Sequence, residues 1–404
     1  MQRDTKLLLS SFFLLNLLNW ISIVEFKYGI PLIIKYILSI GILSIIVWYW
    51  MNQRVRPRPG SLFYPIIVFF VSWSVLLIVQ AVLNFDDLFY LQRVFGQRFF
   101  FIPYVLPIFI LFSKFDIQFF GLYFRVASFS LIFATIMQLT IIVTGMDRVT
   151  WFEQTTRIFI FDIGSSFVIL TSHLFFKRKI TYISICYFTI YLFIWSYFGR
   201  RGMMIEYSLI LFLMLILRIR SPLLKRIDRM QIYFIGIAMV LILVNFSYLF
   251  LQTYAFQRGF DRSAFEASRG IVFQDFFQDF NSIQDWLLGR GLLGTVTRSI
   301  LGYDEAGFIE NGFLNILLKG GVLYLLPFLI ILFRASYLGF FRSHNDLTKA
   351  LALIILVHII MMAYFNLPDY SPKYILTLIA TASCFNSDLR KISNEEVVRV
   401  LNLK

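Results

Sequence analysis

The sequence predicts an all-α polytopic membrane protein of about twelve transmembrane helices, with one large polar loop on the outer side. Three observations predict it. The 404 residues are 59% hydrophobic and only 15% charged, with a mean hydropathy of +0.76, which lies outside the soluble globular range. About twelve apolar stretches meet or approach the roughly 20 residues that cross about 30 Å of hydrocarbon. Lysine and arginine collect in alternate short connections between them, as a positive-inside bias requires. The net charge of +14 would suit a nucleic-acid partner only if it formed a patch on a folded surface; spread over helix-end loops, it excludes that class.

The first run, Leu7–Phe26, is too long for a signal-peptide core and has no small-residue cleavage site after it, so it reads as a retained helix. The next spans are Ile30–Met51, Leu62–Leu83, Phe99–Phe112, Phe119–Val143, Phe159–Phe176, Ile180–Phe198, Met203–Leu217 and Gln231–Leu251. After the long interruption come Gly312–Phe333, Leu351–Phe365 and Tyr374–Phe385. The chain thus divides into helices one to nine over 1–251, a large extracytoplasmic loop over 252–311, and helices ten to twelve with a cytoplasmic tail over 312–404. Arg3, Lys6, Arg54, Arg56, Arg58, Lys114, Lys177, Arg178, Lys179, Arg218, Arg220, Lys225, Arg226, Arg229, Arg334, Arg342, Lys349, Arg390 and Lys391 all fall on one side. That side is the cytoplasm, with both termini on it.

The exceptions to the rule are informative. Arg200 and Arg201, in Gly199-Arg200-Arg201-Gly202, fall where the alternation demands an outward turn. The outer loop adds Arg258, Arg262, Arg269, Arg290 and Arg298, and no lysine. A site that grips phosphate favours the planar, bidentate guanidinium over the ammonium. The alternative is pairing with Asp261, Glu266, Asp275, Asp279, Asp285, Asp304 and Glu305 of the same loop.

Within the loop, Ser263-Ala264-Phe265-Glu266 has the pattern of a capping box. After it Phe273, Phe276, Phe277, Phe280, Ile283 and Leu287 recur at helical spacing, with Gln274, Asp275, Gln278 and Asp285 opposite. One amphipathic helix ending near Gly289 is expected, lying on the membrane surface or over the mouth of the bundle. Arg269 falls on its apolar stripe, facing the level of lipid phosphates. Gly289-Arg290-Gly291-Leu292-Leu293-Gly294 then reads as a flexible turn that lets the chain swing back toward the membrane. As a phosphate cradle it lacks the P-loop lysine and a preceding strand.

His173, His344 and His358 are far apart in sequence and lack metal-ligand spacing, so no metal site is expected from them. Cys186 and Cys384 sit in apolar runs and read as buried small hydrophobes. Asp86-Asp87, in an outward turn, is either a solvated pair or a catalytic or metal-binding one. Asp162 and Glu206, near outward helix ends, suit counter-ions for the outer arginines.

The order and sidedness of Gly199-Arg200-Arg201-Gly202, Ser268-Arg269-Gly270, Gly289-Arg290-Gly291 and Glu310-Asn311-Gly312-Phe313-Leu314-Asn315-Ile316-Leu317-Leu318-Lys319-Gly320-Gly321-Val322 resemble the O-antigen polymerase and ligase superfamily. The likeness covers roughly residues 198–333. It implies a GT-C-like membrane fold in a bacterial inner membrane and a metal-independent, inverting glycosyl transfer without a cofactor. It also implies polyprenyl-diphosphate-linked oligosaccharides as substrates, with membrane lipid, a chain-length regulator and a flippase as partners. Ligases of that group commonly carry His-Asn where this chain has Glu310-Asn311, so the resemblance points to a polymerase of the Wzy type.

Such a reaction must hold a diphosphate and remove a proton from an acceptor hydroxyl. Arg200, Arg201 and Arg269 are the expected diphosphate contacts, with Arg258, Arg290 and Asn311 as further substrate-binding residues. Glu310 is expected either to take the proton or to orient the acceptor, because the positive end of the helix it precedes favours a negative charge. Two rivals remain: a transporter, which should place charges and broken helices near the midplane, and a different lipid-linked sugar transferase working through Asp86 and Asp87.

Overall fold

The computed structural model describes residues 8–11, 14, 32–52, 63–83, 101–143, 164–175, 201–221, 262–297, 307–364 and 368–402. Among them the regular elements are all α-helices. In chain order these are α1 Leu32–Asn52, α2 Phe63–Leu83, α3 Ile102–Ile110, α4 Ile117–Val143, α5 Ser165–Phe175, α6 Arg201–Arg220, α7 Arg262–Asp279, α8 Ile283–Leu288, α9 Gly312–Phe341, α10 Asp346–Met362, α11 Pro372–Phe385, α12 Ser387–Lys391 and α13 Asn394–Asn402.

Among the described residues three helices are long and apolar enough to cross a membrane: Phe63–Leu83, Gly202–Arg220 and Gly312–Phe341. The expected spans Ile180–Phe198 and Gln231–Leu251, and most of Leu7–Phe26, lie outside the described residues. α3 is shorter than the expected Phe99–Phe112: it has nine residues, with Pro107 inside it. α11 ends at Phe385 as expected and begins two residues earlier than Tyr374, bounded by Ser371, whose hydroxyl accepts from Tyr374 N, and by the extended Asn386 at its far end.

The bundle is organised around α9 and α10, which pack along each other and against α11. α2 and the loop helix α8 lie against α9, while α5 and α6 lie against α10. One apolar core runs through these helices. A second, smaller cluster joins the loop to the start of α9: Phe276, Phe280, Val296 and Ile309 close over Leu314, Leu317 and Leu318.

The far end of the bundle is tied by side-chain to main-chain bonds. Asn345 donates to Leu389 O at 2.8 Å and Ile392 O at 3.0 Å, and Asp346 N–H donates to Asn394 Oδ1 at 2.7 Å. His173 Nε2 lies 3.5 Å from the buried Asp346 carboxylate. The C-terminal segment is therefore no loose tail. Its helices α12 and α13 fold back, and α13 packs on α4 and α5.

Candidate functional site at the loop end of the bundle

The site begins with a break in α9. At Gly321 the backbone adopts φ 65° and ψ −170°, a combination that side-chain-bearing residues almost never occupy. A Cβ on Gly321 would lie 2.2 Å from Leu287 O, and one on Gly289 (φ 73°) would lie 2.6 Å from Gly321 N. Two glycines thus let the turn after α8 press its backbone into the break. Arg290 N–H donates to Leu318 O at 2.7 Å, and Trp73 Nε1 donates to Gly320 O at 3.1 Å. The buried Lys319 donates from Nζ to Gly294 O at 2.8 Å. Carbonyls that a broken helix would leave orphaned are thereby supplied with donors. The turn is pinned where the sequence suggested flexibility.

The break also places the loop relative to α2. Trp73 is ten residues before the end of α2 at Leu83, and the Gln80 side chain lies against Gly291. At about 1.5 Å per residue, the turn reaches several ångströms below the end of that helix.

The expected single loop helix is two. α7 ends at Asp279 and α8 starts at Ile283, because Ser282 is extended and its hydroxyl accepts from Asp285 N at 2.9 Å. Asp279, the last residue of α7, has a further role: its Oδ2 accepts from Arg290 Nη1 at 2.7 Å and from Thr297 N at 3.1 Å. The apolar stripe divides as well. Phe276 and Phe280 are buried, while Phe273, Phe277, Ile283 and Leu287 are exposed.

Arg290 is committed to the loop itself. Its guanidinium donates to Asp279 Oδ2 and Thr295 O through Nη1, and to Asp279 O and Asp285 Oδ2 through Nη2, at 2.6–2.9 Å. Its hydrogen bond to Asp285 holds that carboxyl below the usual range and is the main cause raising its own pKa. With these donors engaged, Arg290 braces the turn.

Glu310 is exposed at the rim, one residue before the N-cap of α9. The Asn311 side chain accepts from Phe313 N at 3.0 Å and Leu314 N at 3.1 Å, and donates to Ala363 O at 2.8 Å. It therefore caps α9 and fastens it to the end of α10. Asn315, fully buried, accepts from Ile309 N at 3.2 Å and holds the strap that carries Glu310. Arg201 opens α6 instead of lying in a turn, and Arg269 lies on the backbone of α7. The side chains of both, together with Arg200, Arg258, Asp86, Asp87 and Asp162, lie outside the described residues.

Sequence reasoning missed a second set of residues. Glu206, expected to balance the outer arginines, is buried and paired with Lys373. Lys373 lies within electrostatic reach of the buried His358, and Tyr374, Tyr370, Tyr104 and Tyr324 are buried as well. The rings of His358 and Tyr374 are 5.9 Å apart and those of Tyr104 and Tyr324 5.4 Å apart, and the hydroxyls of Tyr324 and Ser74 meet at 3.4 Å. Ionisable groups buried in apolar helices are expensive and usually functional. Lys319 next to Gly320-Gly321, inside an apolar run, was the one readable signal. Among the described residues no group of three or more His, Cys, Asp or Glu could hold a metal ion.

Comparison of the chain with protein-family profiles, with curated proteins and with solved structures finds no match.

Proposed function

We propose that this chain is a membrane glycosyltransferase that polymerises polyprenyl-diphosphate-linked oligosaccharide units on the extracytoplasmic face of a bacterial inner membrane. The carrying observation is the mounting of Glu310: an exposed carboxylate on a strap fixed by Asn311 and Asn315, at the rim of a helix bundle, beside a loop docked into a broken helix. A transfer between two lipid-anchored substrates needs such a fixed group at the level where both sugars emerge.

In this proposal about twelve spans adopt a GT-C-like arrangement with both termini cytoplasmic. An acceptor hydroxyl attacks the anomeric carbon, Glu310 takes or orients its proton, and the carbon–oxygen bond to the diphosphate breaks with inversion. The departing polyprenyl diphosphate carries the electron pair and is met by Arg200, Arg201 and Arg269. Arg→Lys at these positions keeps charge but loses the bidentate geometry, so turnover should fall at normal membrane abundance.

One observation favours a second reading. A helix interrupted at Gly321 with a buried lysine beside it is the arrangement that transporters use at their binding sites. Lipid-linked glycans from a strain lacking the protein separate the readings. A polymerase defect accumulates single units facing outward, and Glu310→Ala reproduces it. A ligase defect accumulates long carrier-linked chains, whereas a flippase defect leaves single units protected inside. Long carrier-linked polymer, or inward-facing units only, would overturn the proposal.

A further inference from the structure

The end of the bundle away from the loop holds positive charge without acidic partners. Arg334 lies roughly 33 Å along α9 from Gly312, at about 1.5 Å per residue, which is the far side of a hydrocarbon layer about 30 Å thick. Its guanidinium carbon stands 4.8 Å from the centre of the Phe63 ring, where α2 begins, and 5.6 Å from that of Tyr337. Arg390 comes from α12, and its Nη1 donates at 3.3 Å to the carbonyl of Arg342, the C-cap of α9. Among the described residues no carboxylate forms an ion pair with Arg334, Arg342 or Arg390. Asp388, the acid of α12, is exposed and accepts from Ser387 Oγ.

Two observations separate Arg334 and Arg390 from basic residues that only mark helix ends. The Nε atoms of both are inaccessible and have no hydrogen-bond partner, and the two charges lie within electrostatic reach of each other. Burial is the main cause that lowers the Arg390 pKa, and the neighbouring Arg334 charge lowers it further. Like charges held together and partly desolvated are unfavourable until an anion joins them, and guanidinium groups match the oxygens of a phosphate. Lys391 and Arg399 at the same end are exposed and solvated. The neighbouring turns of α9 and the start of α2 expose Phe333, Tyr337, Phe341 and Tyr64. A free phosphate makes no use of such an apolar rim, whereas a phosphodiester carried on acyl chains lays them against it.

We propose that Arg334 and Arg390, with Arg342 at the rim, form a binding site for the phosphodiester headgroup of an anionic glycerophospholipid in the leaflet opposite the loop. The site joins α9 to the start of α2 and to α12, and it does not depend on which reaction the loop end performs.

The test uses the full-length chain, purified in non-ionic detergent and stripped of lipid, with bound lipid counted by native mass spectrometry. Dioctanoyl phosphatidylglycerol is the anionic probe, dioctanoyl phosphatidylcholine carries the same chains on a headgroup without net charge, and inorganic phosphate is the free anion. The expected result is one phosphatidylglycerol bound about tenfold tighter or more than phosphatidylcholine, and not displaced by phosphate at equal concentration. Arg334→Gln and Arg390→Gln should each weaken it about tenfold to a hundredfold, the loss of hydrogen bonds to a charged partner. Lys391→Gln and Arg399→Gln, which remove the same charge from exposed positions, should leave the affinity within about twofold. Among the described residues the Arg334 guanidinium touches only the two rings, so Arg334→Gln reports on the site even where loss of the Arg390 bond to α9 unfolds that end. Equal affinity for the two lipids, or equal losses in all four variants, means a diffuse positive surface and overturns the proposal. Displacement by phosphate at equal concentration means that the anion alone is held and overturns the headgroup assignment.

Discussion

Gly321→Ala tests whether the loop is docked by the break in α9. The alanine would have to hold φ near 65° and ψ near −170°, which costs roughly 1–3 kcal/mol. Its Cβ would sit 2.2 Å from the Leu287 carbonyl oxygen, and because that atom is backbone, the turn or the helix must move, at roughly 1–3 kcal/mol more. The sum, about 2–6 kcal/mol, compares with what docks the loop: burial of Phe276 and Phe280, at roughly 1.5–3 kcal/mol each. The expected outcome is a released loop on an intact bundle. Trypsin added from the loop side to reconstituted protein should cut after Arg290 at least tens of times faster than in the parent, since 1.4 kcal/mol is about tenfold in the open population. Gly270→Ala in the same loop, where an added Cβ meets nothing within 4 Å, should leave cleavage unchanged. Gly289→Ala should act like Gly321→Ala, and the double variant should be far less than additive because both remove one contact. A Gly321→Ala protein cut within twofold of the parent rate would refute the docking.

The ion pair of Arg290 predicts a pH dependence. Asp285 has its folded pKa depressed, chiefly by the Arg290 hydrogen bond, so its stabilisation is present above the unfolded value of about 4 and is lost as pH falls through the folded one. Protection against hydrogen exchange in residues 283–297, taken relative to the intrinsic exchange rate at each pH, should therefore fall on acidification below about pH 4, and Asp285→Asn should lower it at pH 7 while flattening that part of the profile; an unchanged profile would refute the brace. Buried Glu206 predicts an asymmetric cycle: Lys373→Met alone should lower thermal stability in detergent by about 3–5 kcal/mol, and Lys373→Met with Glu206→Met by much less. Equal losses would show that the pair carries no buried charge. Exposed Glu310 predicts the reverse separation, with Glu310→Ala leaving the unfolding temperature within about 1 °C, as for surface changes of about 0.5 kcal/mol or less, while long glycan chains disappear; loss of stability in step with activity would make it structural.

What was legible in the sequence is what local chemistry determines. The start of α9 at Asn311-Gly312 follows from a capping asparagine ahead of an apolar run, and α2 and α4 appear within two residues of where hydropathy places them. What was not legible depends on partners far away in the chain. The Phe273–Leu287 stripe has one helical period, yet it splits in two after Asp279, whose carboxylate binds Arg290 and Thr297 from beyond the turn. Glu206 looked like a counter-ion for neighbouring arginines, and its partner Lys373 arrives from more than 160 residues away, just past the proline that opens α11. The Gly320-Gly321 pair marked a weak point in an apolar helix; that another glycine-rich turn would fill it is a statement about two surfaces, and neither surface exists in a single stretch. For the same reason the orphan polar atoms of the buried groups were invisible. Tyr104, Glu206 and His358 belong to α3, α6 and α10, and each taken alone is an ordinary residue of its own helix. Local pattern fixes where helices begin and which face is apolar, whereas function in a bundle of this kind lies in what the faces meet.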